Sequence, residues 1–125
     1  MEGSVSVMIT ILPLPPELLE PLCDQLSIQC EQRVWGYAAA DASELAGYCV
    51  VAEGAYDDDP CQILWIQAED QYVADGLLRR ALYPFYEAGY KEYEFVRLPE
   101  MTLLPDYIIV GRGSLEKLFT GHCAS

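Results

Sequence analysis

The sequence predicts an α/β (α+β) domain with a mixed, mostly antiparallel central sheet and helices on both faces. Three observations predict it. Apolar runs of strand character alternate with two amphipathic stretches of helical period. The run Cys61–Ala68 is followed by one of those stretches and then by a second strand pattern, the order of a right-handed crossover between parallel neighbours. The earlier strand patterns are joined by short polar loops, which suit antiparallel neighbours. A length of 125 residues fits a single domain over 1–125.

Residues 5–12 are apolar and rich in β-branched types, a strand pattern that Pro13, Pro15 and Pro16 end. Leu18, Leu22 and Leu26 then fall four apart, with Leu19, Cys23 and Cys30 beside them, which marks one helical face. Pro21 interrupts that pattern, so the regular helix is expected to begin there. Residues 33–40 and 45–53 read as two strands, with 41–44 as their hairpin loop. The connection 54–60 carries Asp57, Asp58 and Asp59 and reads as solvated. Cys61–Ala68 is apolar on both faces, which suggests a central strand.

The second helix is expected over 77–88, with Leu77, Leu78, Ala81, Leu82 and Phe85 inward and Arg79, Arg80 and Glu87 outward. Pro84 should kink or shorten it, and Gly89 should stop it. Residues 92–98 alternate, with Tyr93 and Phe95 on one face. Residues 107–110 read as a last strand, and Ser114 can cap a short segment ending near Phe119.

The net charge is −13, from 20 acidic and 7 basic residues. Such a field repels nucleic acid and anionic membranes and favours a cationic small molecule or a basic peptide. Solvation alone also accounts for a charged surface. The five cysteines show no CxxC spacing, and no leader pattern is visible, so the expectation is a cytoplasmic protein with free, mainly buried thiols. With His122 as the lone histidine and no alternating acidic loop, no metal site is expected. The two tryptophans and the tyrosines read as core, and Glu53 and Glu69 follow strand ends, where a general base could serve an amine.

One junction hints at a ligand. A strand that ends in a small-residue turn and feeds a helix can gather free backbone N–H groups around an anion, and Gln71-Tyr-Val-Ala-Asp-Gly76 lies at such a place. An ordinary strand–helix junction has the same outline.

The stretches Ser43-Glu-Leu-Ala-Gly-Tyr-Cys-Val-Val51, Ile66-Gln-Ala-Glu-Asp-Gln71, Gln71-Tyr-Val-Ala-Asp-Gly76 and Glu87-Ala-Gly-Tyr90, in this order, resemble the GNAT (Gcn5-related N-acetyltransferase) superfamily across residues 33–98. The resemblance implies acetyl-CoA as co-substrate and transfer of its acetyl group to an amine. It implies that Ile66 and Ala68 offer backbone to the pantetheine arm. It also implies that Gln71, Tyr72, Val73, Ala74, Asp75 and Gly76 form the loop that cradles the pyrophosphate. A second register places Glu69 and Ala74 at the ends of that motif.

The chain departs from the family pattern in several places. Ala74 stands for a glycine, Asp75 brings a negative charge, and residues after Leu98 lack the usual helix with its Asn and Tyr. No catalytic residue is therefore carried over, and Tyr107 reads as strand packing. Two functions follow: an acyl-CoA-dependent N-acyltransferase, or a truncated, degenerate GNAT-like domain that serves as a binding or dimerisation module. A homodimer would protect a sheet edge left unpaired by the truncated end.

Overall fold

The computed structural model describes residues 9–29, 31–42, 44–56, 58–97 and 104–120. Among them lie six strands and three helices: β1 (Ile9–Pro13), α1 (Pro16–Gln25), β2 (Val34–Asp41), β3 (Glu44–Ala52), β4 (Cys61–Ala68), α2 (Gln71–Glu87), β5 (Glu92–Phe95), β6 (Arg112–Ser114) and α3 (Leu115–Thr120). The strands form one mixed sheet in the order β1-β2-β3-β4-β5-β6. The β4–β5 pair is parallel and the other pairs are antiparallel. The expected α+β class, mixed sheet and central β4 are all present.

Helices cover both faces. The larger core lies under α2, where Val73, Ala74, Leu77, Leu78, Ala81, Leu82 and Phe85 are buried against Cys49, Val51, Ile63 and Ile66. Each fully buried Val, Leu, Ile or Phe side chain among them contributes roughly 1.5–3 kcal/mol. The opposite face holds Val50, Ala52 and Leu64 under Leu19, Leu22 and Cys23 of α1.

β2 and β3 meet in a two-residue hairpin with Asp41 opposite Glu44. Ala42 takes φ +60°, the left-handed conformation that a primed hairpin turn demands of its first residue. α2 ends in a Schellman motif: Tyr90 N donates to Phe85 O at 3.0 Å, Gly89 N donates to Tyr86 O at 3.1 Å, and Gly89 has φ +101°. The Ser114 hydroxyl accepts from Lys117 N and caps α3, as the sequence suggests.

Four expectations need correction. First, α1 begins at Pro16 and runs through Pro21. Pro15 and Pro16 pre-set the first turn, and Pro21 removes one intrahelical bond without ending the helix. Its half-buried stripe is Leu19, Leu22 and Cys23, while Leu18 is exposed and Cys30 lies outside the described residues. Second, α2 continues through Pro84 to Glu87.

Third, residues 107–110 are not a strand. Pro105 starts a turn, closed by Ile108 N donating to Pro105 O, and Ile109 N donates to the Tyr93 hydroxyl rather than to a neighbouring backbone. The strand beside β5 is Arg112–Ser114 instead. Fourth, Tyr56, Tyr72, Tyr83 and Tyr107 are exposed; among the tyrosines, Tyr37 and Tyr93 are the ones in the core.

Candidate functional site

The junction between β4 and α2 is helical from Gln71 onward, so the expected loop at Gln71 to Gly76 is the first turn and a half of α2. Asp70 is the reason. Its backbone is extended, and its carboxylate accepts from Val73 N at 2.9 Å. Ala74 N then donates to Asp70 O at 3.0 Å and starts the helical ladder. An aspartate in this position satisfies an otherwise unpaired donor and complements the positive end of the helix dipole.

The residues expected to cradle an anion are thus divided. Val73 and Ala74 are buried against the sheet. Gln71 and Tyr72 face solvent. Asp75 is bridged to Arg79 at 2.8 Å, with Arg79 also donating to Leu118 O. Gly76 faces β1: a Cβ there would come 2.9 Å from Ile11 Cδ1, so its missing side chain serves helix–sheet packing. In the second register, Glu69 precedes the capping Asp70 and Ala74 lies within the first turn of α2.

The seam between β4 and β5 has a distinct geometry. The parallel ladder pairs Cys61 with Tyr93, Gln62 with Glu94 and Ile63 with Phe95. A last bond runs from Val96 N to Ile63 O at 3.0 Å. β4 itself goes on to Ala68, with Ile66 and Ala68 registered against Cys49 and Gly47 of β3.

At the point where the ladder with β5 stops, β4 carries a bulge. Val50 faces Trp65 and Val51 faces Ile63, which leaves Leu64 without an opposite residue. The bulge breaks the alternation of side chains. Leu64 and Trp65 both turn to the α1 side, while Ile63 and Ile66 both pack under α2. The sequence could not reveal this, because four consecutive apolar residues show no alternation to break.

Beyond the bulge, Arg97 reaches across the α1 face. Its guanidinium lies 5.4 Å from the Trp65 ring centre, and its Nη2 donates to Ser27 O at 3.0 Å. Trp65 Nε1 is buried without a hydrogen-bond partner, the one such side-chain nitrogen or oxygen among the described residues. An unpaired buried donor costs about 1–3 kcal/mol.

Other candidates are not brought together. Glu53 follows β3 and Glu69 follows β4, and antiparallel pairing puts them at opposite ends of the sheet. Glu53 accepts from Arg33 N at 3.2 Å. Burial pushes the Cys49 and Cys61 thiols up to about 12, so both are neutral and unreactive near pH 7. His122 lies outside the described residues.

A half-open groove of about 1300 Å³ sits at the Glu53 end of the sheet, with Glu53, Asp58, Asp59, Glu92 and Glu116 on its walls and Lys91 as a cation beside them. Among the described residues no cluster of acidic, His or Cys side chains has the arrangement of a metal site. No helix there is long and apolar enough to cross a membrane.

Compared with known protein families and with curated proteins, the chain matches no family model and no curated sequence.

Proposed function

We propose that this chain is a GNAT-like domain that has lost acyl-CoA-dependent transfer and serves as a binding module for a basic partner. One observation carries the reading: the N-terminus of α2 already holds an anion of its own, the Asp70 carboxylate on Val73 N. A diphosphate placed there would meet that charge and the neighbouring Glu69 rather than a set of bare amides. A unit charge ~4–6 Å from an anion costs a few kcal/mol at an effective dielectric of about 20, more than the ~0.3–1 kcal/mol that a helix end returns. The partner's chemistry follows from the net charge of −13.

A second reading, an acyl-CoA-dependent N-acyltransferase acting on a cationic amine, is favoured by the β4–β5 seam. The ladder ends at Ile63–Phe95 while β4 runs on, and the bulge bends β4 at that point. The pantetheine arm of acetyl-CoA would need a divergence of this kind.

Thermal unfolding in the presence of acetyl-CoA separates the two. A ligand present at about 100 times its Kd stabilises a fold by roughly 2.7 kcal/mol. The module reading expects no change in Tm at millimolar acetyl-CoA and a rise with oligolysine at physiological salt. A rise with acetyl-CoA, together with release of free CoA thiol when an amine is added, overturns it in favour of the enzyme.

A further inference from the structure

We infer that Trp65 and Arg97 form a small site for an oxyanion-bearing ligand, a carboxylate or a phosphate, on the α1 side of the sheet where β4 and β5 part. Four independent features converge there. The Trp65 indole N–H is buried and has no acceptor. The bulge at Leu64 turns Trp65 to this face against the strand's alternation. The Arg97 guanidinium lies over the indole ring and takes part in no ion pair among the described residues, although the chain carries 20 carboxylate side chains. The carbonyl that Arg97 holds belongs to Ser27, a non-glycine residue at φ +58°.

The chemistry of the ligand follows from the donor set. An indole N–H and a guanidinium can only donate, so whatever completes them must bring acceptors. The Ser27 carbonyl occupies one guanidinium donor and leaves others available. A group with two oxygens brings an acceptor for each of the two side chains.

Entry requires Arg97 to leave the ring face. Its present contacts are a hydrogen bond to the Ser27 carbonyl and a cation–π contact, which charge-assisted bonds to the ligand would replace. Left-handed backbone is strained for serine, and such strain gathers at places where a segment switches between contacts. The inference is independent of the function proposed above: it needs neither acyl-CoA nor a basic partner.

Indole N–H resonances in a ¹H–¹⁵N spectrum of the full chain give the test, since Trp35 and Trp65 supply two reporters. Trp65→Phe assigns the peaks, and Trp35→Phe does so if the first variant fails to fold. Acetate and inorganic phosphate are the probes, titrated separately, and whichever moves the peak identifies the oxyanion. The expected result is a saturable downfield shift of the Trp65 indole proton while Trp35 stays in place. Arg97→Ala should weaken the apparent affinity by about tenfold or more, the loss expected for one charge-assisted contact. Arg97→Lys, which keeps the charge without the planar fork, should fall between. No saturable movement with either anion overturns the inference, and so does a titration of Arg97→Ala that matches the unmodified chain.

Discussion

Asp70 gives the sharpest handle on the junction. Replacing it with alanine removes the acceptor on Val73 N and the charge at the positive end of α2. Losing an N-cap costs about 1 kcal/mol, and the charge adds ~0.3–1 kcal/mol at an exposed helix end. Allowing for the overlap between these, Asp70→Ala should lose about 1–1.5 kcal/mol. For a chain of this size that is a fall in Tm of roughly 4–6 °C. Asp70→Asn keeps an acceptor and loses only the charge, so about 0.5 kcal/mol is expected. Urea unfolding followed by circular dichroism measures both, with an unchanged m-value as the check on two-state behaviour. The difference between Asp and Asn should shrink in about 1 M salt, whereas the difference between Asn and Ala should persist. An Asp70→Ala variant as stable as the unmodified chain would refute the cap. Equal losses for Asn and Ala would show that charge, not hydrogen bonding, holds the helix start.

Two further predictions concern backbone strain and buried thiols. Ala42→Gly removes left-handed strain of ~1–2 kcal/mol and loses ~0.4–1 kcal/mol to unfolded-chain freedom, so thermal melts should show a net gain of about 0.5 kcal/mol; Ala42→Val should be destabilised instead. The folded protein holds the Cys49 and Cys61 protons more tightly than the unfolded chain, their pKa values rising from 9.0 to about 12. Their stabilising contribution is therefore complete below pH 9 and is lost as pH climbs toward 12, by about 1.4 kcal/mol per pH unit for each thiol. Urea midpoints measured across that window should slope downward, and Cys49→Ala with Cys61→Ala should flatten the slope; parallel curves for the two proteins would contradict the assignment.

Much of the fold was legible because the cues were local. Cys61–Ala68 is apolar on both faces and sits in the middle of the sheet. Gly89 and Ser114 act at the helix ends where their chemistry suggests. The start of α2 was legible too, but a competing pattern obscured it. Val73 and Ala74 continue the spacing of Leu77, Leu78, Ala81 and Leu82 backward by one turn, and Asp70 is a strong capping residue. The glycine-motif pattern over Gln71 to Gly76 gives no hint that Gly76 also lies against Ile11 of β1.

Tertiary context overrode propensity near the end of the chain. Tyr107-Ile-Ile-Val110 has the composition of a strand, yet the Tyr93 hydroxyl takes the Ile109 N–H that a ladder would use. Arg112-Gly-Ser114 has no strand signature and pairs with β5 all the same. Gly113 is required there because a Cβ would collide with the Tyr93 ring. Nothing in the sequence marks the bulge or the meeting of Trp65 with Arg97, because Ser27, Trp65 and Arg97 come from three distant segments.

The strands lie side by side in the order in which they occur along the chain. A nascent polypeptide emerging from the ribosome can therefore lay down each strand at the growing edge, and no later segment has to prise apart a pair already made. Synthesis halted after β4 would leave a four-stranded antiparallel sheet carrying α1, with α2 and the parallel seam still to arrive.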